Sequence, residues 1–332
     1  MIDLPLIWAF LIAIAILIYV ILDGFDLGIG ILFPFLEEED RDIAMNTVAP
    51  VWDGNETWLV LGGGGLLATF PLAYSILMPA LYFPVLLMLF GLIFRGVAFE
   101  FRWRDKGHQR YWDIGFVAGS IVASFCQGVA LGAFIQGVEV SGRAYAGGWW
   151  DWLTPFSVLT GVALVVGYAL LGATWLVMKT DGRLGEKAVR YARFTTVGTV
   201  VFIGLISGAT LSLDTRFMKV WFGFPAVLYT AAVPLAVGLV SWWLWRRLSR
   251  EMDYRPFIAA ILLFVLCFIG LGISLFPYIV PMGVTIWEAA APDDSLAFLL
   301  IGTAVLLPLI LAYTGYAYYV FRGKVKPGQG YH

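Results

Sequence analysis

The sequence opens with one long apolar run, LIWAFLIAIAILIYVILDGFDLGIGILFPF at residues 6–35, in which two aspartates are the only charged residues. About 20 apolar residues are enough for a helix to cross a bilayer, and similar runs recur along the whole chain. Hydrophobic residues make up 61% of the 332 residues and charged residues only 13%. The runs are too long and too uniform for the alternating strands of a membrane barrel. The sequence therefore predicts an all-α integral membrane protein.

The apolar runs indicate nine spanning segments. Their approximate bounds are 6–30, 52–70, 76–101, 114–138, 155–178, 194–213, 224–245, 257–280 and 297–321. The first and second segments are the least regular, because Asp23 and Asp26 interrupt one and four consecutive glycines at 62–65 loosen the other.

The basic residues in the loops predict the orientation. With the N-terminus outside, the inner side carries 17 Lys and Arg residues and the outer side carries three, while Arg95 lies within a segment. An excess of Lys and Arg in cytoplasmic loops is typical of membrane proteins. The chain is therefore expected to have its N-terminus outside and its C-terminus in the cytoplasm.

This orientation places several ionisable residues at one depth near the cytoplasmic side. They come from the ends of the first three segments: Asp23 and Asp26, Asp53 and Glu56, Arg95 and Glu100. Consecutive antiparallel helices with short loops are usually neighbours, so we expect the six side chains to meet. Ionisable residues within a membrane are costly and commonly mark proton or ion pathways. A proton relay is the favoured interpretation.

A structural interpretation of the same residues stays open. Asp53 or Asn55 could cap the second helix, where an acid also suits the helix dipole. Arg95 could simply neutralise Asp26 or Glu100. On this interpretation the charges stabilise the helix ends and carry no protons.

Several kinds of chemistry find no support in the sequence. The two histidines, His108 and His332, lie in a loop and at the C-terminus, so neither is expected to ligate haem or metal at membrane depth. Cys126 and Cys267 have no metal-ligand spacing and are interpreted as small buried residues. The glycines at 62–65 lack the Lys-Ser/Thr of a phosphate loop and instead predict close helix packing or contact with a flat ligand. No basic patch suggests nucleic acid as a partner. The chain is thus expected to be a subunit or a transporter.

Five motifs resemble subunit II of the cytochrome bd quinol oxidases, and the resemblance runs essentially from end to end. They are DGFDLGIG (23–30), WDGNETWLV (52–60), FRGVAFEFR (94–102), FPYIVP (276–281) and TIWEAA (285–290). The run of Asp, Gly and Asn after Trp52 is the most specific of them.

The resemblance implies a subunit of a bacterial plasma-membrane complex that oxidises quinol and reduces oxygen to water. Subunit I of that complex ligates two b-type haems and one d-type haem, and this chain would ligate none. The implied fold has a four-helix bundle at 1–140, a second at 141–281, and a peripheral transmembrane helix with a cytoplasmic tail at 282–332. Subunit I is the implied main partner, with a small single-helix accessory subunit and a bound structural quinone as further expectations. The glycine face at 62–65 is the candidate place for that quinone.

The resemblance also suggests roles for the ionisable residues. Asp53 would lead a cytoplasmic proton route at the boundary with subunit I, because family members are similar at this position. Glu56, Asp23 and Asp26 would extend the route, although position 56 need not be acidic in the family. Arg95 and Glu100 would balance the local charge.

Two other functions stay open on the sequence alone. A proton-coupled secondary transporter would also need buried carboxylates, but it predicts matching helix breaks in both halves. The polar residues here concentrate in the first half. A purely structural scaffold for the haem-bearing subunit requires the same acids at the same depth.

Overall fold

The computed structural model describes residues 3–248 and 252–325, and helices make up most of them. The helices in chain order are α1 (Leu4–Leu32), α2 (Glu38–Asn46), α3 (Trp52–Thr69), α4 (Pro71–Ala80), α5 (Tyr82–Arg104), α6 (Gln109–Gln136), α7 (Pro155–Lys179), α8 (Gly182–Leu211), α9 (Thr215–Phe222), α10 (Val227–Thr230), α11 (Ala232–Arg247), α12 (Arg255–Leu275), α13 (Ile286–Ala289) and α14 (Asp293–Val320). Two short antiparallel hairpins pair β1 (Val140–Ser141) with β2 (Ala144–Tyr145) and β3 (Tyr278–Val280) with β4 (Val284–Thr285).

The described helices confirm the prediction of an all-α membrane protein. Eight helical stretches in the described ranges are long and apolar enough to span a bilayer, and they contain α1, α5, α6, α7, α8, α11, α12 and α14. The remaining predicted segment is α3, which is 18 residues long but carries Asp53, Asn55 and Glu56 in its first two turns. The orientation of the chain across the membrane stays a prediction, as do the bundle boundaries at 140 and 281. The predicted tail beyond residue 325 lies outside the described residues.

The predicted third segment, 76–101, is broken in the structure. One helix ends at Ala80 and the next begins at Tyr82. Pro84, in the first turn of α5, has no amide hydrogen to donate to the preceding turn, so the helix restarts there. The fifth predicted loop, 179–193, differs as well: α8 begins at Gly182, so its first three turns carry basic residues that the sequence assigned to a loop.

The helices of the first half of the chain, α1–α6, pack mainly on one another, and so do those of the second half, α7–α12. In the first half α1 contacts α3 and α6, and α5 contacts α6; in the second half α7 contacts α8 and α12, and α11 contacts α12. The halves meet where α1 and α6 pack against α7. Helix α14 lies against α1 and α3. Asp23, Asp26 and Arg95 are therefore buried within the first half, close to α7 and α14.

Two glycines allow the closest approach between the halves. A Cβ atom on Gly28 would lie 2.0 Å from the carbonyl oxygen of Tyr168, and one on Gly172 would lie 2.4 Å from the carbonyl carbon of Gly28. Only glycine fits at a crossing this tight, as at other small-residue contacts between membrane helices. The crossing fixes α1 against α7 within two turns of Asp23 and Asp26.

Candidate functional site

Arg95 is the centre of a charged cluster that joins three helices. Its side chain is only 2% exposed. Nη1 donates a hydrogen bond to Oδ1 of Asp23 on α1 at 2.6 Å, and Nη2 donates to Oε1 of Glu56 on α3. Helix α6 abuts the backbone of Arg95, where a Cβ on Gly119 would lie 2.8 Å from its amide nitrogen. The guanidinium therefore extends away from α6, toward α1 and α3.

A second polar contact beside Arg95 links α1, α3 and α14. Nδ2 of Asn55 donates to Oδ2 of Asp26 at 2.7 Å and to the carbonyl oxygen of Leu22 at 3.3 Å. The hydroxyl of Tyr318 donates to Oδ1 of Asn55 at 2.8 Å. Asp26 and Asn55 are both buried. The amide of Asn55 thus has hydrogen-bond partners at both ends.

The cluster contains three carboxyl groups and one guanidinium. Oδ2 of Asp23 and Oδ1 of Asp26 are buried and form no close hydrogen bond with any described residue, and the hydroxyl of Tyr19 lies near enough to interact with Asp23. A buried carboxylate oxygen without a partner is costly unless it is protonated or bound to a further donor. The arrangement is therefore suited to holding a proton at these oxygens and to exchanging it.

The structure brings together four of the six predicted residues and leaves two outside. Asp53 lies on the exposed face of α3 and forms no hydrogen bond or ion pair with any described residue. Glu100 is exposed on α5, 4.0 Å from Arg104. At 3.6 residues per turn, Asp53 lies on roughly the opposite side of α3 from Asn55, and Glu100 points well away from Arg95. The expectation that all six side chains meet was wrong for Asp53 and Glu100.

The capping interpretation was also wrong. The N-cap of α3 is Val51, and no side chain accepts a capping hydrogen bond there. Asn55 instead bonds Asp26, and the direct partners of Arg95 are Asp23 and Glu56 rather than Asp26 or Glu100.

Sequence reasoning missed the contribution of Asn55 and Tyr318 to this site. Asn55 stands inside the quoted motif, and its place opposite Asp53 on a helix could have indicated an inward direction. Tyr318 is 263 residues away from Asn55 in the chain. Tyr318 is one of several tyrosines in α14, and nothing in the neighbouring sequence indicates that it contacts Asn55.

A second buried arginine ties the ends of α2, α5 and α6 together. Nε of Arg102 donates to Oδ1 of Asp113 at 2.5 Å, and Nη1 donates to Oδ1 of Asp42 at 2.6 Å. Arg41 donates to the other oxygen of Asp113 at 3.1 Å. Here two arginines bond two aspartates, whereas the cluster around Arg95 has one arginine for three carboxyl groups. The balanced charges fit a structural role, which is to hold α2 against α5 and α6.

The four consecutive glycines of α3, at 62–65, lie on two faces of the helix, one packed against α1 and one open. Cβ atoms on Gly62 and Gly65 would lie 3.2 and 3.4 Å from Ile16 and Ile12 of α1, so these two glycines serve helix packing. Gly63 and Gly64 face open space. Beside them a shallow groove with a cavity volume of only about 30 Å³ lies between α1, α3 and α14. Its lining is almost entirely apolar: Trp8, Leu11, Ile12, Ile14, Ala15, Trp58, Leu61, Gly65, Thr303 and Leu307.

The remaining candidate ligands lie apart from the cluster. His108 is exposed in the turn between α5 and α6, and its Nδ1 lies 3.1 Å from Asp105, whose pKa is lowered chiefly by this hydrogen bond. Cys126 is buried as expected, but Cys267 is exposed, so its predicted burial was wrong. No group of three or more His, Cys, Asp or Glu side chains in residues 3–248 and 252–325 could hold a metal ion. His332 lies outside the described residues.

Comparisons with known proteins agree on one family. The family model described as cytochrome bd terminal oxidase subunit II matches residues 4–321. The chain is 30% identical to cytochrome bd-I ubiquinol oxidase subunit 2 of Escherichia coli K12, over 97% of this chain and 95% of that protein. It is 29% identical to cytochrome bd ubiquinol oxidase subunit 2 of Bacillus subtilis 168, over 96% of each chain.

A solved structure supports the fold independently. A chain of the bd oxidase from Geobacillus thermodenitrificans matches with a TM-score of 0.74 at 18% identity, over 96% of this chain and 99% of that chain. The end-to-end match of the sequence, the helical membrane fold and the motifs around Asp23, Asn55 and Arg95 all lead to one assignment. The chain belongs to the cytochrome bd terminal oxidase subunit II family and is a component of a membrane-bound oxidoreductase complex.

Proposed function

We propose that this chain, as subunit II of a quinol oxidase, supports the haem-bearing subunit I and supplies part of the route by which cytoplasmic protons reach the site of oxygen reduction. Reduction of oxygen to water consumes one proton for each electron. Taking those protons from the cytoplasm lets the complex build a proton gradient. The proposal places the complex in the bacterial plasma membrane, with quinol and oxygen as its substrates.

The observation that carries the proposal is the buried carboxyl pair on α1. Oδ2 of Asp23 and Oδ1 of Asp26 are buried and form no close hydrogen bond, with the hydroxyl of Tyr19 near Asp23, while the other oxygen of each is held by Arg95 or Asn55. One oxygen of each carboxyl group is thus fixed in place and the other is free to take a proton. Buried ionisable residues in such an environment are typical of proton relays.

Glu56 connects this buried pair to the surface of the chain. Its side chain is 28% exposed and contacts Arg95 at the other end. Asp53 stands one helical turn earlier on the exposed face of α3. A proton accepted at Asp53 would pass to Glu56 and then to the oxygens of Asp23 and Asp26. We propose that subunit I covers this face, because an exposed carboxylate at the end of a spanning helix is costly against lipid. Glu100 would contribute only to the surface charge.

The haems of the complex are proposed to lie in subunit I. Haem iron needs axial ligands such as histidine at membrane depth. His108 does not fit this role, because it is exposed in a loop and bonded to Asp105. The chemistry assigned to this chain is therefore proton transfer and support of the partner subunit. A small accessory subunit remains part of the proposal for the complete complex.

A structural quinone would fit the groove between α1, α3 and α14 better than the glycine face itself. Gly62 and Gly65 are already covered by α1, whereas the groove beside them is open and lined almost entirely by apolar side chains. The groove is shallow, so a quinone would lie along these apolar side chains rather than within an enclosed pocket.

The test is oxygen uptake by the purified complex that carries Asp53→Asn, with its reduced-minus-oxidised haem spectrum. We expect normal haem content and uptake lowered by at least about tenfold, since loss of a positioned proton-transfer group typically costs 10²–10⁴-fold. The matched control is Glu100→Gln, an exposed acid near the same end of the bundle, which should keep uptake within about twofold. Normal uptake by Asp53→Asn would remove Asp53 from the route and leave Glu56 as the place where protons enter it.

A further inference from the structure

Helix α14 is anchored mainly at its two ends. Leu296 is the one buried residue of α14, and its carbonyl oxygen accepts a hydrogen bond from Nε1 of Trp8 at 3.0 Å. At the other end Nζ of Lys179, on α7, donates to the carbonyl oxygens of Phe321 and Gly323. Between these anchors most side chains of α14 are exposed. Near the C-terminal end of α14, Tyr318 contacts the charged cluster through its hydrogen bond to Asn55.

The ring of Tyr318 is held by an aromatic group on α1 and α7. It lies edge-on to Phe25 and to Trp175, with ring centroids 6.4 and 6.3 Å apart. Phe25 and Trp175 themselves stack at 4.1 Å. Aromatic pairs in these geometries prefer defined relative orientations. The hydroxyl of Tyr318 is therefore held in a fixed direction, toward Asn55.

The carboxyl group of Asp26 and the carbonyl oxygen of Leu22 determine which way the amide of Asn55 faces, and the hydroxyl of Tyr318 holds the other end of the amide. Nδ2 of Asn55 donates to Asp26, and its Oδ1 accepts from Tyr318. A reversed amide would place Oδ1 against the carboxylate of Asp26 and Nδ2 against the hydroxyl. The first of these contacts joins two acceptors, so the observed orientation is favoured.

We infer that Tyr318 is a positioning residue for proton transfer: it holds Asn55 so that the amide binds one oxygen of Asp26 and leaves the other oxygen available for a proton. The inference rests on the proposed proton route and extends it to α14, the peripheral helix. A hydrogen bond buried within a polar network of this kind fixes geometry more than it adds to stability. Loss of the Tyr318 hydroxyl would leave Oδ1 of Asn55 without its donor, and the amide would then be held only through Nδ2.

The test uses the complete purified complex with Tyr318→Phe, which keeps the ring and removes only the hydroxyl. The matched control is Tyr316→Phe on the exposed side of the same helix. We expect normal haem content in both variants and oxygen uptake lowered at least about threefold in Tyr318→Phe alone, as for the loss of one buried hydrogen bond. Infrared redox difference spectra give a second readout: the carboxyl band that Asp26→Asn removes should be shifted in Tyr318→Phe and unshifted in Tyr316→Phe.

Two further variants separate the possible failures. If Tyr318 acts through Asn55, adding Tyr318→Phe to Asn55→Ala should lower uptake no further than Asn55→Ala alone. Additive losses would overturn the inference, as would unchanged uptake and an unshifted band in Tyr318→Phe while Asp26→Asn is impaired. Normal uptake by Asp26→Asn would instead overturn the proposed proton route itself. The two failures are thus distinguishable.

Discussion

At the scale of single residues, the cluster depends on the geometry of one guanidinium. Arg95 contacts Asp23 and Glu56 from different nitrogen atoms, which a planar, forked cation can do and a single ammonium group does less well. Burial of this group is tolerable only while both carboxyl groups are present, because unpaired buried charges cost several kcal/mol.

Replacement of Arg95 tests this dependence. Arg95→Leu leaves Asp23 and Glu56 without their cation, and we expect the complex to lose about 3–5 kcal/mol of stability. Arg95→Lys should lose less, because it keeps the charge but bonds the two carboxyl groups less well. The measurement is the Tm of the purified complex, together with haem per complex. Arg104→Leu, which replaces an exposed arginine on the same helix, is the control and should leave both unchanged. A Tm for Arg95→Leu equal to that of the control would show that the pairing does not hold the cluster.

At the scale of helices, the cluster is positioned by close crossings of backbone. The contact of Gly28 with Tyr168 and Gly172 holds α1 on α7, and the contact of Gly91 with Gly119 holds α5 on α6. These crossings fix the rotation of α1 and α5, so Asp23, Asp26 and Arg95 face a common interior. The motif that carries Gly28 therefore has a packing role that is separate from its carboxylates.

A methyl group at the first crossing should separate the helices. In Gly28→Ala the new Cβ would lie 2.0 Å from the carbonyl oxygen of Tyr168. Backbone cannot yield as a flexible side chain does, so we expect a loss of about 1–3 kcal/mol. Gly208→Ala on α8 is the control, because nothing lies within 4 Å of its added Cβ. The Tm of the two purified complexes gives the comparison. Equal values would mean that α1 and α7 can adjust without cost.

At the scale of the whole molecule, the sequence predicted the membrane fold well because length and hydropathy alone determine it. Helix α3 was recognised despite its polar start, since its glycine-rich remainder is still apolar. The interior of the cluster was predicted less well. Which face of a helix turns inward depends on contacts from distant parts of the chain, as with Tyr318. For that reason the sequence predicts Asp53 and Glu100 in the cluster, and it leaves open a cap by Asp53 or Asn55 that the structure does not contain.

Contacts between elements that are distant in the chain also could not be predicted from the sequence. Helix α4 was merged with α5, because the break at Leu81 carries no charge and interrupts an otherwise apolar run. The contact of α14 with the cluster and the crossing of the two halves at Gly28 required the three-dimensional arrangement.

We propose that protons for oxygen reduction pass from the cytoplasm through the buried carboxyl groups of α1. The most direct measurement is proton uptake from the cytoplasmic side after an oxygen pulse to the reduced complex in oriented vesicles, with Asp26→Asn compared with the unaltered complex. We expect the variant to bind oxygen normally but to take up protons at least about tenfold more slowly. Uptake at the unaltered rate in the variant would contradict the claim and leave the chain as a scaffold for its partner.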